Sequence, residues 1–330
     1  MRDVATLPKA HLHIHLEAAV RRSTVVDLAD EQGVEPPTLG HFTDFSGFVD
    51  DYLSVAGLIS SEAVLRRVID EAVEDASLDG AVAVELATTP TNYADVFGSA
   101  AAALAAILDA AATAAEKHGC WVGIIVAIER TAGAGLALEN AELAAAHAGH
   151  GVTGLGLHAE ERGFPARGFA EAFAIARRAG LLVVPHAGEL VGPESVRESI
   201  DVLGADRVQH GIRALEDPDL IRTIVARGIT LDVCPTSNAL LGVVSSMAEH
   251  PLPALLAAGV RCSINADDPT LFGASLAQEY ATARDVLGLS DALLAACARS
   301  SIEASAAPEA VRSAALVGIA GWLAAEEGAA

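Results

Sequence analysis

"LLVVPHAGE", residues 181–189, starts with five apolar residues, Leu181 to Pro185, and then places His186 and Glu189 three positions apart. A run with no polar alternation suits a parallel strand that is covered on both faces. The segment before it, "FAEAFAIARRAG" (169–180), has apolar residues at helical spacing and ends at Gly180, a suitable helix C-cap. After it, Pro193 predicts the first turn of another helix. The stretch therefore reads as helix, strand, loop and helix, with its titratable residues at the carboxyl end of the strand.

The same unit recurs in both directions. Further strands are predicted over 11–17 ("HLHIHLE"), 81–90, 121–130, 152–160, 207–212, 230–237 and 261–269, each followed by a helical pattern. In "DPDLIRTIVARG", Asp217 is placed as N-cap and Pro218 as the first helical residue. Strands alternating with helices predict βαβ units, and eight of them predict a closed (β/α)8 TIM-type barrel forming one domain over 1–330. A doubly wound sheet would need a Gly-rich phosphate turn, and neither GxGxxG nor GKS is present. Extra helices are expected after strand 1, in the segment 36–80, and at the carboxyl terminus, near 290–299 and 308–327. The first of these carries Phe42, Phe45, Phe48 and Tyr52 and is placed over the barrel mouth, with two of the four aromatics serving as core.

Composition narrows the partners. A chain of 330 residues, 52% hydrophobic, has ample material for a large interior. Its formal charge of -23 repels phosphate backbones and anionic lipid headgroups, so neither nucleic acid nor membrane is an expected partner. The four cysteines show no metal-ligand spacing and read as buried thiols of a reducing compartment. "MRDVATLPK" leaves no room for an apolar signal core, so a cytoplasmic location is expected.

The polar residues gather at one end of the predicted barrel, where active sites of this architecture lie. His13 and His15 stand at i and i+2 on the first strand and share a face, with His11 one pair deeper. His186 and Glu189 end the fifth strand, His210 the sixth, and Asp267 with Asp268 the eighth. Any one of these has a structural explanation, as a bonded histidine or a turn aspartate. Four strand ends acquiring buried polar groups independently is a costly coincidence. His13, His15, His186 and Asp267 make an N3O set that suits one Zn2+, with another divalent transition metal such as iron also compatible. A metal there would lower the pKa of a bound water toward neutrality. Glu189 is placed to move protons, and His210 to take the water's proton or to stabilise the resulting charge. Thr236 and Ser237 either line the pocket or simply form a turn. His158 is expected to be a satisfied rim histidine, and His11 a structural one.

"LPKAHLHIHLE", "PHAGE", "RVQHG", "CPTSN" and "HPLPALLAAGVRCSINADDP" resemble the adenosine/AMP deaminase family of the amidohydrolase superfamily, in the family's order, from about residue 7 to about residue 305. The resemblance implies a barrel with one zinc held by His13, His15, His186 and Asp267. It implies that Glu189 gives a proton to purine N1 as the activated water attacks C6, that His210 orients that water, and that Asp268 meets N7. Glu17 would reach a ribose 5′-hydroxyl, and the N–H of Ala159, standing for a family glycine, would meet N3. The chain departs from the pattern at Ala18, where a glycine is usual, and at Ala87, where adenosine enzymes carry Arg. Adenosine or 2′-deoxyadenosine is the substrate expected by default. Further motifs resemble actinobacterial members that deaminate 6-aminodeoxyfutalosine in menaquinone biosynthesis. Free adenine ranks lower, and AMP last, for want of a basic cluster. A non-catalytic purine-binding relative would be expected to have lost part of this set, and a dinuclear relative would carry a Lys on the fourth strand; neither pattern is seen. The expected partner is a small purine nucleoside, and both monomer and homo-oligomer stay open.

Overall fold

A computed structural model describes residues 2–40, 42 and 44–325. Eight strands, β1 (Lys9–His15), β2 (Ala81–Thr88), β3 (Trp121–Glu129), β4 (Val152–His158), β5 (Leu182–Ala187), β6 (Arg207–His210), β7 (Thr230–Val233) and β8 (Arg261–Ile264), follow one another around a single sheet. Every neighbouring pair is parallel. The sheet closes on itself just beyond the end of β8. His15 N–H donates to Asp267 O at 3.1 Å and Asp267 N–H to His13 O at 3.0 Å. Asn265 Oδ1 accepts from the N–H groups of Leu12, at 2.8 Å, and His13, at 3.2 Å. The molecule is thus the expected (β/α)8 barrel.

Apolar strand residues such as Ile124, Val126, Leu155 and Val183 are fully buried against the surrounding helices. Burial of each such side chain contributes about 1.5–3 kcal/mol relative to exposure. The barrel interior also holds a buried ion cluster. Arg207 donates to Glu85 Oε2 at 2.6 Å and to Asp232 Oδ2 at 2.9 Å, and Ser263 Oγ donates to Asp232 Oδ1 at 2.7 Å. All four residues are sealed from solvent, and the one guanidinium is shared by both carboxylates.

The helix expected at Pro193 begins there and runs to Glu198, and the predicted cap pair holds, with Asp217 Oδ1 accepting from the N–H groups of Asp219 and Leu220. The segment after β1 forms helices Phe45–Ala56 and Glu62–Leu78, capped by Asp44 and Ser61. At the carboxyl end, helices Asp291–Ala304 and Glu309–Ala324 match the two expected helices; residues 326 and 327 of the second lie outside the described set. Ser301 Oγ accepts from Ala10 N–H at 2.9 Å and fastens the first of them to β1. Among the described residues no single helix is long and apolar enough to cross a membrane.

One systematic correction concerns strand length. β1 ends at His15 and not at residue 17; Leu16–Ala18 is a 3-10 turn. β4 stops at His158, β5 at Ala187, β6 at His210, β7 at Val233 and β8 at Ile264, each short of its predicted end. The polar residues that extended the predicted strands belong instead to the loops over the mouth.

Candidate functional site

β1 delivers His13 and His15 to the mouth, β5 delivers His186, and the turn after β8 delivers Asp267. His13 Nε2 lies 3.1 Å from His186 Nε2 and 2.9 Å from Asp267 Oδ1. His15 Nε2 lies 3.2 Å from His186 Nε2 and 3.3 Å from Asp267 Oδ1. Imidazole nitrogens meeting lone pair to lone pair at these spacings are poor hydrogen-bond partners. Four of the six separations in this set instead approach the edges of a tetrahedron around an ion about 2.1 Å from each donor, which measure about 3.4 Å. The donor set therefore fits a metal. His13 Nδ1 faces the Asp232 carbonyl at 3.2 Å, which leaves Nε2 bare toward the cluster. Burial would raise the Asp267 carboxyl, but its interactions with His13 and His210 outweigh it and hold the carboxyl well below its usual range. His210 also brings a nitrogen within 4.8 Å of ligand atoms on His13, His186 and Asp267, so a fourth imidazole competes with His15 on distance alone.

His210 Nε2 lies 3.6 Å from Glu189 Oε1 and 3.8 Å from Asp267 Oδ2. Burial, then the charges of Asp267 and Glu161, push the Glu189 carboxyl well above its ordinary value. Burial, then Asp267 and Glu189, do the same to Asp268. Asp268 is 2% exposed and its Oδ1 has no hydrogen-bond partner among the described residues. A carboxyl held neutral can donate a hydrogen bond, as an acceptor nitrogen requires.

The backbone at this rim is strained. Ala159, His210 and Asp267 are the non-glycine residues with positive φ among those described, at 68°, 60° and 61°. Left-handed backbone costs an L-residue roughly 1–2 kcal/mol. Ala159 therefore keeps the conformation for which a glycine is suited. Gly188, between His186 and Glu189, has φ 68°, and a Cβ there would clash with Val196 Cγ2, so glycine suits the position.

His15, His158, His186, Glu189, His210, Asp267 and Asp268 line one cavity with Ala159 and Glu129; Phe45, Phe48, Val49, Tyr52 and Leu53 form its apolar cover. Phe48 is buried and stacks on Phe272 with ring centroids 5.4 Å apart. The helical excursion thus covers the mouth as expected. Glu17 is buried behind this wall. Its Oε1 accepts from Thr88 Oγ1 at 2.7 Å and Tyr93 Oη at 2.9 Å, and its Oε2 accepts from Tyr52 Oη at 2.9 Å.

Other positions read differently from expectation or were not singled out. His158 is no solvated rim residue: it is buried in the cavity wall, with Nε2 3.1 Å from Thr89 Oγ1. Its place at the end of β4, like the other strand-end residues, was the available signal. His11 is structural, its Nε2 accepting from Ala266 N–H at 3.1 Å. Thr236 is not among the residues that line the cavity, and its backbone N–H donates to Glu279. Glu161 organises the Glu189 loop: its carboxylate accepts from the N–H groups of Gly188, Leu190 and Val191 at 2.8 Å each, from Glu189 N–H at 3.3 Å, and from the Ser195 hydroxyl. Nothing in the local pattern of "HAEE" marks it, because its partners lie about thirty residues later.

A barrel whose strand ends gather three imidazoles, a carboxylate and a neighbouring acid–histidine pair is the framework of the hydrolytic deaminases of amidohydrolase type. The chain belongs to the adenosine deaminase family, whose model matches residues 8–322. It is 42% identical to a putative adenosine/adenine deaminase of Streptomyces coelicolor, with 98% of each chain covered. Among solved structures it resembles the adenine deaminase of Arthrobacter aurescens (31% identity, TM-score 0.90, covering 96% of this chain and 99% of that one). It also resembles a Burkholderia ambifaria amidohydrolase with bound Zn (27% identity, TM-score 0.85, 98% and 94% covered). The protein is accordingly a hydrolytic deaminase with a buried His/Asp group suited to a metal ion.

Proposed function

We propose that the protein is a zinc-dependent deaminase acting at C6 of a 6-aminopurine, with free adenine as its best substrate. The convergence of His13, His15, His186 and Asp267 beside Glu189 and His210 carries the reaction class. The zinc-containing relative supports the metal. His13, His15, His186 and Asp267 would hold the ion, which when bound supplies the Lewis acidity that brings the pKa of a water toward neutrality. Glu189, whose charged form burial disfavours, gives its proton to purine N1, which makes C6 electrophilic. As the carboxylate it then accepts the proton of the attacking oxygen and passes it to the amine. The C6–O bond forms, the C6–N bond breaks, ammonia leaves and the 6-oxopurine remains. His210 orients the attacking oxygen, Asp268 donates to N7, and the Ala159 N–H faces N3. Phe45 and Phe48 close the cavity against bulk water.

The choice of base over nucleoside rests on Glu17. Glu17 does not line the cavity, and three hydroxyl donors occupy three of its roughly four acceptor positions, which leaves a ribose hydroxyl at most one open position, on Oε2 beside Tyr52. Relatives named adenine deaminase favour the base, while the Streptomyces coelicolor relative is named for both base and nucleoside. Among the described residues no Lys or Arg lines the cavity, which argues against a nucleotide. Adenosine remains the second reading, since Tyr52 could trade its bond to Glu17 for one to a sugar, and 6-aminodeoxyfutalosine needs still more room beneath the cover. The test is kcat/KM for adenine, adenosine, 2′-deoxyadenosine and 6-aminodeoxyfutalosine with zinc-loaded protein. Adenine should lead by at least tenfold, about 1.4 kcal/mol of discrimination. A nucleoside in first place would move the assignment to that nucleoside, and no turnover of any of the four would refute the reaction.

A further inference from the structure

The orientation of His210 is set by a chain of hydrogen bonds that starts at a group with no choice of role. Leu252 N–H can only donate, and it donates to His250 Nδ1 at 3.1 Å. A neutral His250 accepting at Nδ1 carries its proton on Nε2. That nitrogen lies 3.2 Å from Asn238 Oδ1, which accepts. The Asn238 amide is then fixed, and its Nδ2 donates to His210 Nδ1 at 3.1 Å. His210 accepting at Nδ1 must carry its own proton on Nε2. Asn238 and His250 are buried at 0% and 3% exposure, so water does not offer either an alternative partner. Burial also pushes the His250 pKa down to about 4, consistent with a neutral ring.

We propose that Asn238 and His250 are positioning residues that lock His210 as the Nε2–H tautomer, making it a hydrogen-bond donor to the attacking oxygen. Two consequences follow from the proton on Nε2. The ring has no lone pair there with which to take a proton from water, so that task falls to Glu189. It has no lone pair there for a metal either, so the competition between His15 and His210 for the fourth coordination position is decided for His15. Neither residue touches the reacting atoms; both act through His210. The mechanistic part of the inference rests on the proposed deaminase reading, while the tautomer itself does not.

The test uses zinc-loaded full-length protein labelled with 15N-histidine. Two-bond 1H–15N correlations distinguish Nε2–H, Nδ1–H and metal-bound rings, and the His210 set is assigned by its loss in His210→Gln. The wild type should show His210 protonated at Nε2 and not metal-bound. Asn238→Asp keeps the shape and still accepts from His250, but presents an acceptor to His210 Nδ1. It should invert the tautomer and lower kcat about 100-fold or more, with KM within about threefold and zinc content unchanged. His250→Ala should lose turnover in the same direction. His250→Gln, whose amide nitrogen can still donate to Asn238, should recover most of it. A wild-type His210 protonated at Nδ1 or bound to metal overturns the proposal. So does an Asn238→Asp enzyme with wild-type kcat, or one whose loss is accounted for by missing zinc. So does His250→Gln no better than His250→Ala. If no purine is turned over while the tautomer is as stated, the proposed reaction fails and the locked ring stands.

Discussion

At the scale of single residues, the site places Glu189 and Asp268 where burial and neighbouring carboxylates disfavour their charged forms. Glu189→Gln preserves volume and one hydrogen-bonding arm but has no proton to give. It should retain one metal per chain by elemental analysis and lose roughly a thousandfold in kcat, within the range typical of a positioned acid–base group. Activity within tenfold of wild type would remove Glu189 from the proton path. Ala159 makes a different prediction. Its φ of 68° is paid for by surrounding contacts, and glycine adopts it freely. Ala159→Gly should raise stability by about 0.5–1 kcal/mol in urea unfolding, because relief of the strain exceeds the entropy gained by the unfolded chain. The titratable residues were legible in sequence because each interrupts an apolar run. Asn238 and His250 were not, because their importance lies in which atom faces which, and that appears only in three dimensions.

At the scale of elements, the β5 loop is built around a carboxylate that no part of the loop supplies. Glu161 accepts four backbone N–H groups and a hydroxyl. Glu161→Gln turns one acceptor into a donor facing donors. It should destabilise the fold by at least about 2 kcal/mol and lower kcat further than that loss predicts at temperatures where the protein stays folded. Thermal unfolding and kcat measured together check both parts. The strands were legible as apolar runs, and their number and order held. Their ends were not. β6 and the turn after β8 end in backbone that switches to left-handed φ at His210 and Asp267, a change that side-chain pattern does not encode.

At the scale of the whole molecule, stability should respond to pH through Glu279. This carboxyl is fully buried and pushed up to about 8, mainly by burial. The folded state therefore binds a proton that the unfolded state releases near its ordinary value, about 4.3. With more protons bound in the folded state, stability falls as pH rises from about 4.5 to 8 and is level outside that window. Glu279→Gln should remove this component of the slope in unfolding measured at pH 5, 6.5 and 8; an unchanged slope would place the titration elsewhere. Arg207 gives a second prediction. Arg207→Ala strands Glu85 and Asp232 without a counter-charge and should cost about 3–5 kcal/mol or prevent folding. The barrel as a class was legible from its repeating unit, but this cluster was not, since its members are drawn from β2, β6, β7 and β8 and meet only once the barrel has closed.

That closure has a consequence for how the protein matures. The seam between the first and last strands is joined by backbone bonds from His13 and His15 to Asp267, the same residues that form three of the four corners of the donor set. A nascent chain exposes its first two imidazoles almost at once, yet the carboxylate that completes the set is among the last strand-end residues to be synthesised. If this set holds the proposed ion, tight metal capture would be a late event, coincident with docking of the final turn onto the first strand. Shortened chains that lack this turn should bind the ion only weakly, and metal content should count finished barrels in a preparation.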